Sequence, residues 1–202
     1  MLPFQFPIEI WQEILELSEF LSQIRLTQVC QYFRLNLKVK DFCNIEGKYL
    51  TILDDNILKN YKHITKLNAS HNSKIKKINH LTNLKILYAR SDPYDCVYCG
   101  IDDNSLIDFN LIELDASYNL NIKNVNHMTN LSTLHAYHRY CGISNNGLKS
   151  LNLRKLFAFG NPKITPDGVK HMNNLKKTSF SDSSLYYKSL VPDLFNLSDL
   201  FE

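Results

Sequence analysis

Glycine is scarce in this chain, with 6 in 202 residues. Loops that cradle phosphates need several glycines at fixed spacing, so a nucleotide-binding loop of that kind is excluded. No apolar run approaches the roughly 18–20 residues needed to cross a bilayer. Glu9, Glu13, Glu16 and Glu19 break up the start of the chain, so a secretory signal is not expected. Charge of one sign is also lacking: 23 basic against 20 acidic residues leave +3. That balance does not imply nucleic acid unless the cations cluster. The five cysteines (Cys30, Cys43, Cys96, Cys99 and Cys141) are odd in number and widely spread, a poor basis for a disulfide framework. These absences describe an intracellular protein, cytoplasmic or nuclear, with reduced thiols and neither a membrane nor a nucleic-acid partner.

What the chain does have is self-similarity. Ile64-Thr-Lys-Leu67-Asn-Ala69-Ser-His-Asn72 aligns with Leu84-Lys-Ile-Leu87-Tyr-Ala89 and with Leu111-Ile-Glu-Leu114-Asp-Ala116-Ser-Tyr-Asn119. Leu131-Ser-Thr-Leu134-His-Ala136, Leu153-Arg-Lys-Leu156-Phe-Ala158-Phe-Gly-Asn161 and a weaker Leu175-Lys-Lys-Thr178-Ser-Phe180 complete six copies. The steps between equivalent positions are 20, 27, 20, 22 and 22 residues. Alternation puts Leu67 and Ala69 on one face of a short strand and Lys66, Asn68 and Ser70 on the other. Inward positions of successive copies then stack into one core. The small Ala must be complemented by larger side chains, such as those of the return segments Ile75–Leu81 and Ile122–Met128. Pro166 suits the start of a short helix in a third, looser return segment.

The template apolar-x-x-Leu-x-Ala-x-x-Asn resembles the leucine-rich repeat, and its spacings fall within the roughly 20–29 residues of that family. The resemblance covers about the last three quarters of the chain and implies an α/β solenoid of about six repeats. In that family the Asn bonds to the backbone of adjacent turns, and Asn72, Asn119 and Asn161 occupy its place.

The first forty residues do not repeat. Ile10, Ile14 and Leu17 share one helical face, and Pro7 suits a helix start. Ile24, Leu26, Val29 and Phe33 suggest one or two further helices. Phe6-Pro7-Ile8-Glu9 followed by Val29-Cys30-Gln31-Tyr32-Phe33-Arg34 resembles the opening and close of an F-box. The departures are Phe6 for Leu, and Gln23 and Gln28 where apolar residues are usual. The resemblance implies a partner, the Skp adaptor of Skp–cullin–F-box ubiquitin ligases. It also implies that Phe6, Pro7, Glu9, Ile10, Ile14, Val29, Cys30 and Phe33 touch that adaptor. The alternative is that these helices simply cap the first repeat, as stacked repeats require. The combination resembles F-box/leucine-rich-repeat proteins encoded by giant DNA viruses of amoebae. The resulting division is a helical module over 1–43, repeats over 44–183 and a cap or tail over 184–202.

Chemistry has few candidates. Cys96-Val-Tyr-Cys99 with His138-Arg-Tyr-Cys141 could form a zinc site. However, Cys99-Gly100-Ile101 and Cys141-Gly142-Ile143 sit at one repeat position two copies apart, or roughly 10 Å. Zinc ligands converge to roughly 2.3 Å from the metal, so these cysteines are read as variants of the turn Asn, and no metal or cofactor is expected. His63, His80, His127 and His171 recur at one phase and are read as structural. No Ser/His/Asp arrangement stands out, and the chain is read as a non-enzyme. The outward strand positions and those just beyond them carry Tyr88, Arg90, Glu113, Asp115, Tyr118, His135, Tyr137, His138, Phe157 and Phe159. Of these, Tyr88, Arg90, Tyr118, His135, Tyr137, Phe157 and Phe159, with the long loop Ser91 to Gly100 that carries Tyr94 and Tyr98, are suited to holding a target protein. Solvated Phe157 and Phe159 require cover, either by that target or by the apolar tail, residues Leu185 to Phe201.

Overall fold

A computed structural model describes residues 6–45, 47–92, 94 and 96–180 of the chain. It is an α/β structure built on one open, parallel, seven-stranded sheet. The strands are β1 (Asp41–Phe42), β2 (Lys66–Asn68), β3 (Ile86–Tyr88), β4 (Glu113–Asp115), β5 (Thr133–His135), β6 (Lys155–Ala158) and β7 (Lys177–Phe180), and their order in the sheet is their order in the chain. Three helices precede the sheet: α1 (Ile8–Glu16), α2 (Phe20–Gln28) and α3 (Gln31–Asn36). Single helical turns fill several returns between strands: α4 (Gly47–Leu50), α5 (Asp55–Leu58), α6 (Asp103–Leu106), α7 (Asn145–Leu148) and α8 (Pro166–Val169).

Register follows the alignment of the copies. Leu67, Leu87, Leu114, Leu134, Leu156 and Thr178 pair in one row across β2 to β7. The five leucines of that row and the five alanines two residues on are completely buried. Ile75, Ile78 and Leu81, and likewise Ile122, Val125 and Met128, are completely buried behind them, so the return segments supply the bulk that the small Ala row lacks. A strand before the first recognised copy, β1, joins the sheet through Phe42 opposite Leu67 and lies inside the stretch assigned to the helical module. Nothing in its sequence follows the Leu-x-Ala template, since Asn44 stands where Ala would.

The turns explain why the copies stack. Asn119 Nδ2 donates to the carbonyls of Ala89 (2.9 Å) and Ile101 (3.1 Å), and Asn161 Nδ2 to those of Ala136 and Ile143, both at 3.1 Å. Asn72 does the same to Leu50 (2.6 Å) and Leu53 (2.9 Å). Each Asn thus satisfies two carbonyls of earlier units that would otherwise be buried unpaired. In the unit between, the thiol of Cys99 donates to the Ala69 carbonyl at 3.2 Å, making one of those two bonds. The following residue, Gly100, donates its N–H to Asn72 O at 3.0 Å, and Gly142 donates to Asn119 O at 2.9 Å. A Cβ at either position would lie 2.5 Å from a backbone carbonyl, which is why both are glycine. His80, His127 and His171 each place Nε2 within 2.9–3.1 Å of a carbonyl of an earlier unit, whereas His63 is exposed. Asp54, Asp102 and Thr165 cap the short turns α5, α6 and α8, the last with Pro166 in its first turn.

The helices at the front of the chain share the same core. Leu15, Phe33, Leu37 and Val39 are buried in one cluster with Phe42, and Trp11 packs tilted against Phe33 with centroids 5.0 Å apart. Gln12 pairs with Lys38 both ways, its amide donating to the backbone carbonyl and its carbonyl accepting from the backbone N–H, each at 2.9 Å. Glu16 and Lys40 form a 2.7 Å ion pair. Buried Gln23, at a position where an apolar residue is usual in the F-box pattern, is satisfied by donating to Ser18 O at 2.8 Å. Among the described residues no helix is long and apolar enough to cross a membrane.

Candidate functional site

Two surfaces gather the residues singled out in the sequence. The first is on α1 and the α2–α3 corner. Ile10, Ile14 and Leu17 follow one another at helical spacing and are 39%, 41% and 89% exposed. Phe6, Pro7, Glu9 and Val29 are exposed as well, and Cys30 is half-buried. The reading of Phe33 as a contact residue is corrected: its ring is buried against Trp11 and holds α3 to α1. The physical reason is the helical turn of α3, which directs Phe33 to the core while Tyr32 and Leu35 are rotated away from it and exposed.

The second surface is the open face of the sheet. Asn68, Tyr88, Asp115, His135, Phe157 and Ser179 form one row across β2 to β7. His135 stacks on Phe157 with centroids 4.6 Å apart, and Tyr137 lies 5.8 Å from His135. Lys177 Nζ sits 6.0 Å over the Phe157 ring. Phe157 and Tyr137 are half-buried by these neighbours, while Phe159 is 57% exposed. Whether the segment 184–202 covers it lies outside the described residues.

Tyr118 and His138 follow their strands with left-handed φ of 61° and 77°, as do His71 and Gly160 at the same position of their units. That conformation turns the two rings onto each other, with centroids 4.5 Å apart at 15°. The loop after β3 reaches the pair, placing Tyr94 Oη 3.0 Å from His138 Nε2. The Arg90 guanidinium lies 5.8 Å from the Tyr118 centroid and 3.7 Å from the Asp115 carboxylate. Tyr88, Arg90, Glu113, Asp115 and His135 line a shallow depression of about 380 Å³ with Asn68, Ser70 and His71. Burial and the Glu113 carboxylate push the Tyr88 phenol up to about 12, and burial holds His135 below its ordinary value against the pull of Asp115 and Glu113. Both groups are therefore neutral near pH 7 and able to exchange hydrogen bonds with a partner. Glu113, Asp115 and His138, which strand position also nominates, lie with this set, and Tyr94 joins it from the loop after β3. The two carboxylates are legible from strand parity alone, whereas Tyr94 comes from a loop whose path the sequence does not specify.

Cys99 and Cys141 are buried, and burial pushes both thiols up to about 12, which disfavours the thiolate a metal would need. Among the described residues no three His, Cys, Asp or Glu side chains are grouped to hold a metal ion. Comparison with family models and with curated proteins returned no match for this chain.

Proposed function

We propose that this chain is a leucine-rich-repeat solenoid carrying an N-terminal F-box-like module, and that it serves as the substrate-recognition subunit of a Skp–cullin–F-box ubiquitin ligase. The module binds the Skp adaptor and the open sheet face binds a target protein. The chain then contributes proximity, and the ligase supplies the chemistry. The observation that carries this reading is the apolar stripe Ile10, Ile14 and Leu17, exposed among the described residues, together with exposed Val29. Apolar side chains repeated along one helix face and left in water mark a surface that a partner covers. These positions include three that the F-box resemblance gives to the adaptor.

Co-expression with a Skp adaptor tests it. Wild type should capture the adaptor, and the Ile10→Ala/Ile14→Ala double variant should lose at least roughly tenfold in affinity. Capture of the adaptor by the double variant at wild-type strength would remove the assignment. A second reading, a repeat scaffold with a helical cap and no ubiquitin role, is favoured by the continuous core of Leu15, Phe33, Leu37 and Phe42. It predicts no adaptor capture by either protein. On the sheet face, a Tyr137→Ala/Phe157→Ala variant that keeps every partner of the wild type would exclude that face as the target site.

A further inference from the structure

Where the helices meet the first turns of the sheet there is a cleft of about 530 Å³. It is lined by Thr27, Gln28 and Arg34 from α2 and α3, by Lys38 and Val39 on the way to β1, and by the run Lys59 to His63 after α5. Among the described residues four lining side chains are permanent cations, Arg34, Lys38, Lys59 and Lys62, His63 is a fifth basic group, and no carboxylate lines the cleft. Arg34, Lys59, Lys62 and His63 are all exposed. The ion pairs found among the described residues lie elsewhere and use Lys40, Lys66, Arg90 and Lys170. The nearest acids in sequence are engaged elsewhere: Asp41 pairs with Lys66 at 2.9 Å, and Asp55 accepts from the backbone N–H groups of Lys76 and Lys77.

Part of this charge has a local explanation. Helices α2 and α3 end at the cleft, and each C-terminus carries roughly half a negative charge. Lys38 Nζ donates to the Leu35 carbonyl at the end of α3. Two such ends offset about one cation, and about three remain unbalanced in one concavity of a chain whose net charge is only +3. Like charges gathered without counter-charges repel one another and raise the potential between low-dielectric walls.

We propose that this cleft docks an acidic, Asp/Glu-rich segment of a partner protein, at a site separate from both the α1 stripe and the open sheet face. The proposal does not depend on the ubiquitin-ligase reading. A polypeptide fits better than a nucleic acid. Single-stranded nucleic acid binds on a platform of exposed aromatic side chains; here the larger ring, Tyr61, is half-buried and packs edge-on to Phe42 at 5.1 Å, which leaves the small imidazole of His63 by itself. The cations also converge on one pocket instead of running in the long stripe that tracks a phosphate backbone. Gln28 and Asn60 add amide donors suited to carboxylates.

The test uses fluorescence anisotropy of the full chain with a labelled deca-glutamate peptide, a deca-glutamine peptide and a ten-nucleotide single-stranded RNA. Deca-glutamate should bind at low salt and weaken as salt rises, while deca-glutamine should not bind. Lys59→Glu/Lys62→Glu should weaken deca-glutamate at least tenfold. The neutral pair Lys59→Gln/Lys62→Gln should weaken it several-fold, and serves in place of the charge reversal if that variant misfolds. Reversal of two exposed lysines remote in the chain, Lys123→Glu/Lys149→Glu, should change it less than twofold. The proposal is overturned by absent binding, by an equal loss in the remote variant (attraction to net charge alone), or by RNA binding more tightly than deca-glutamate through the same lysines.

Discussion

The sheet units and the N-terminal helices use apolar residues in opposite ways. In each unit from β2 to β6 the inward Leu and Ala are fully covered by the next unit, and large exposed side chains such as Ile107 and Leu120 occur singly. In the helices, residues of the same kind are left exposed: Ile10 and Ile14 on α1, Leu17 at its C-terminal end, and Val29 and Leu35, between 39% and 89% exposed. Stacked units are complete because every unit supplies its neighbour's missing face. Among the described residues the helical segment packs on the β1 end of the sheet, which buries Leu15 and Phe33 and leaves Ile10, Ile14 and Leu17 exposed. Substitutions in the units should therefore show in stability, and substitutions on the helix stripe should show in association.

The strongest way to break the contrast is Leu114→Ala. Its side chain is completely buried in the middle of the sheet, and its loss should cost about 2–5 kcal/mol in chemical denaturation. A cost below about 1 kcal/mol would mean that the row is not the core it is taken to be.

Next is Asn119→Ala, which leaves the Ala89 and Ile101 carbonyls without their donor. The expected loss is about 1–3 kcal/mol, as for one buried polar group left unsatisfied. Asn119→Cys should recover part of it, since Cys99 makes one of the two equivalent bonds in its own unit. Equal stability of the Ala and Cys variants would show that the thiol contact contributes nothing.

On the helix side, Ile10→Ala/Ile14→Ala should change folding stability by less than about 1 kcal/mol, because both side chains are already partly solvated and Ala favours helix. A larger loss in urea denaturation would make these residues part of the core and dissolve the contrast between the two regions.

The smallest effect concerns how the helices are tied down. The hydrogen bond from Lys40, with a second from Gln12, holds the Glu16 carboxyl below its ordinary value. A depressed carboxyl contributes stability above its unfolded pKa, and that contribution is lost as pH falls through the folded value. Half-exposed as the pair is, it is worth a few tenths of a kcal/mol at most. The melting temperature of Glu16→Gln should lie slightly below wild type at pH 7, and the gap should close as pH falls below about 4. A gap that widens in acid would reverse the sign and exclude the pair as a tether.

Much of the sheet is legible in the amino-acid pattern alone. Leu67, Leu87, Leu114, Leu134 and Leu156 recur at spacings that put them in one row, and they pair in that row. The equivalence of Cys99 with Cys141 is legible from the Gly and Ile that follow each. Two features are not. Strand β1 carries no Leu-x-Ala signature and becomes a strand only because β2 offers it an unpaired edge, with Thr65 and Lys66 N–H groups donating to Lys40 O. The reach of Tyr94 to His138, 44 residues away, also leaves no periodic trace.

The sequence by itself determined the number of residues per unit, the inward and outward faces and the Asn turns, because these follow from local spacing repeated until neighbours match. Only the tertiary structure decided that Phe33 is core while Ile10 and Ile14 are surface, and that cations from three separate segments line one cleft. Those outcomes depend on how the helices are oriented against the first strand, and a segment that occurs once has no second copy from which that orientation can be inferred.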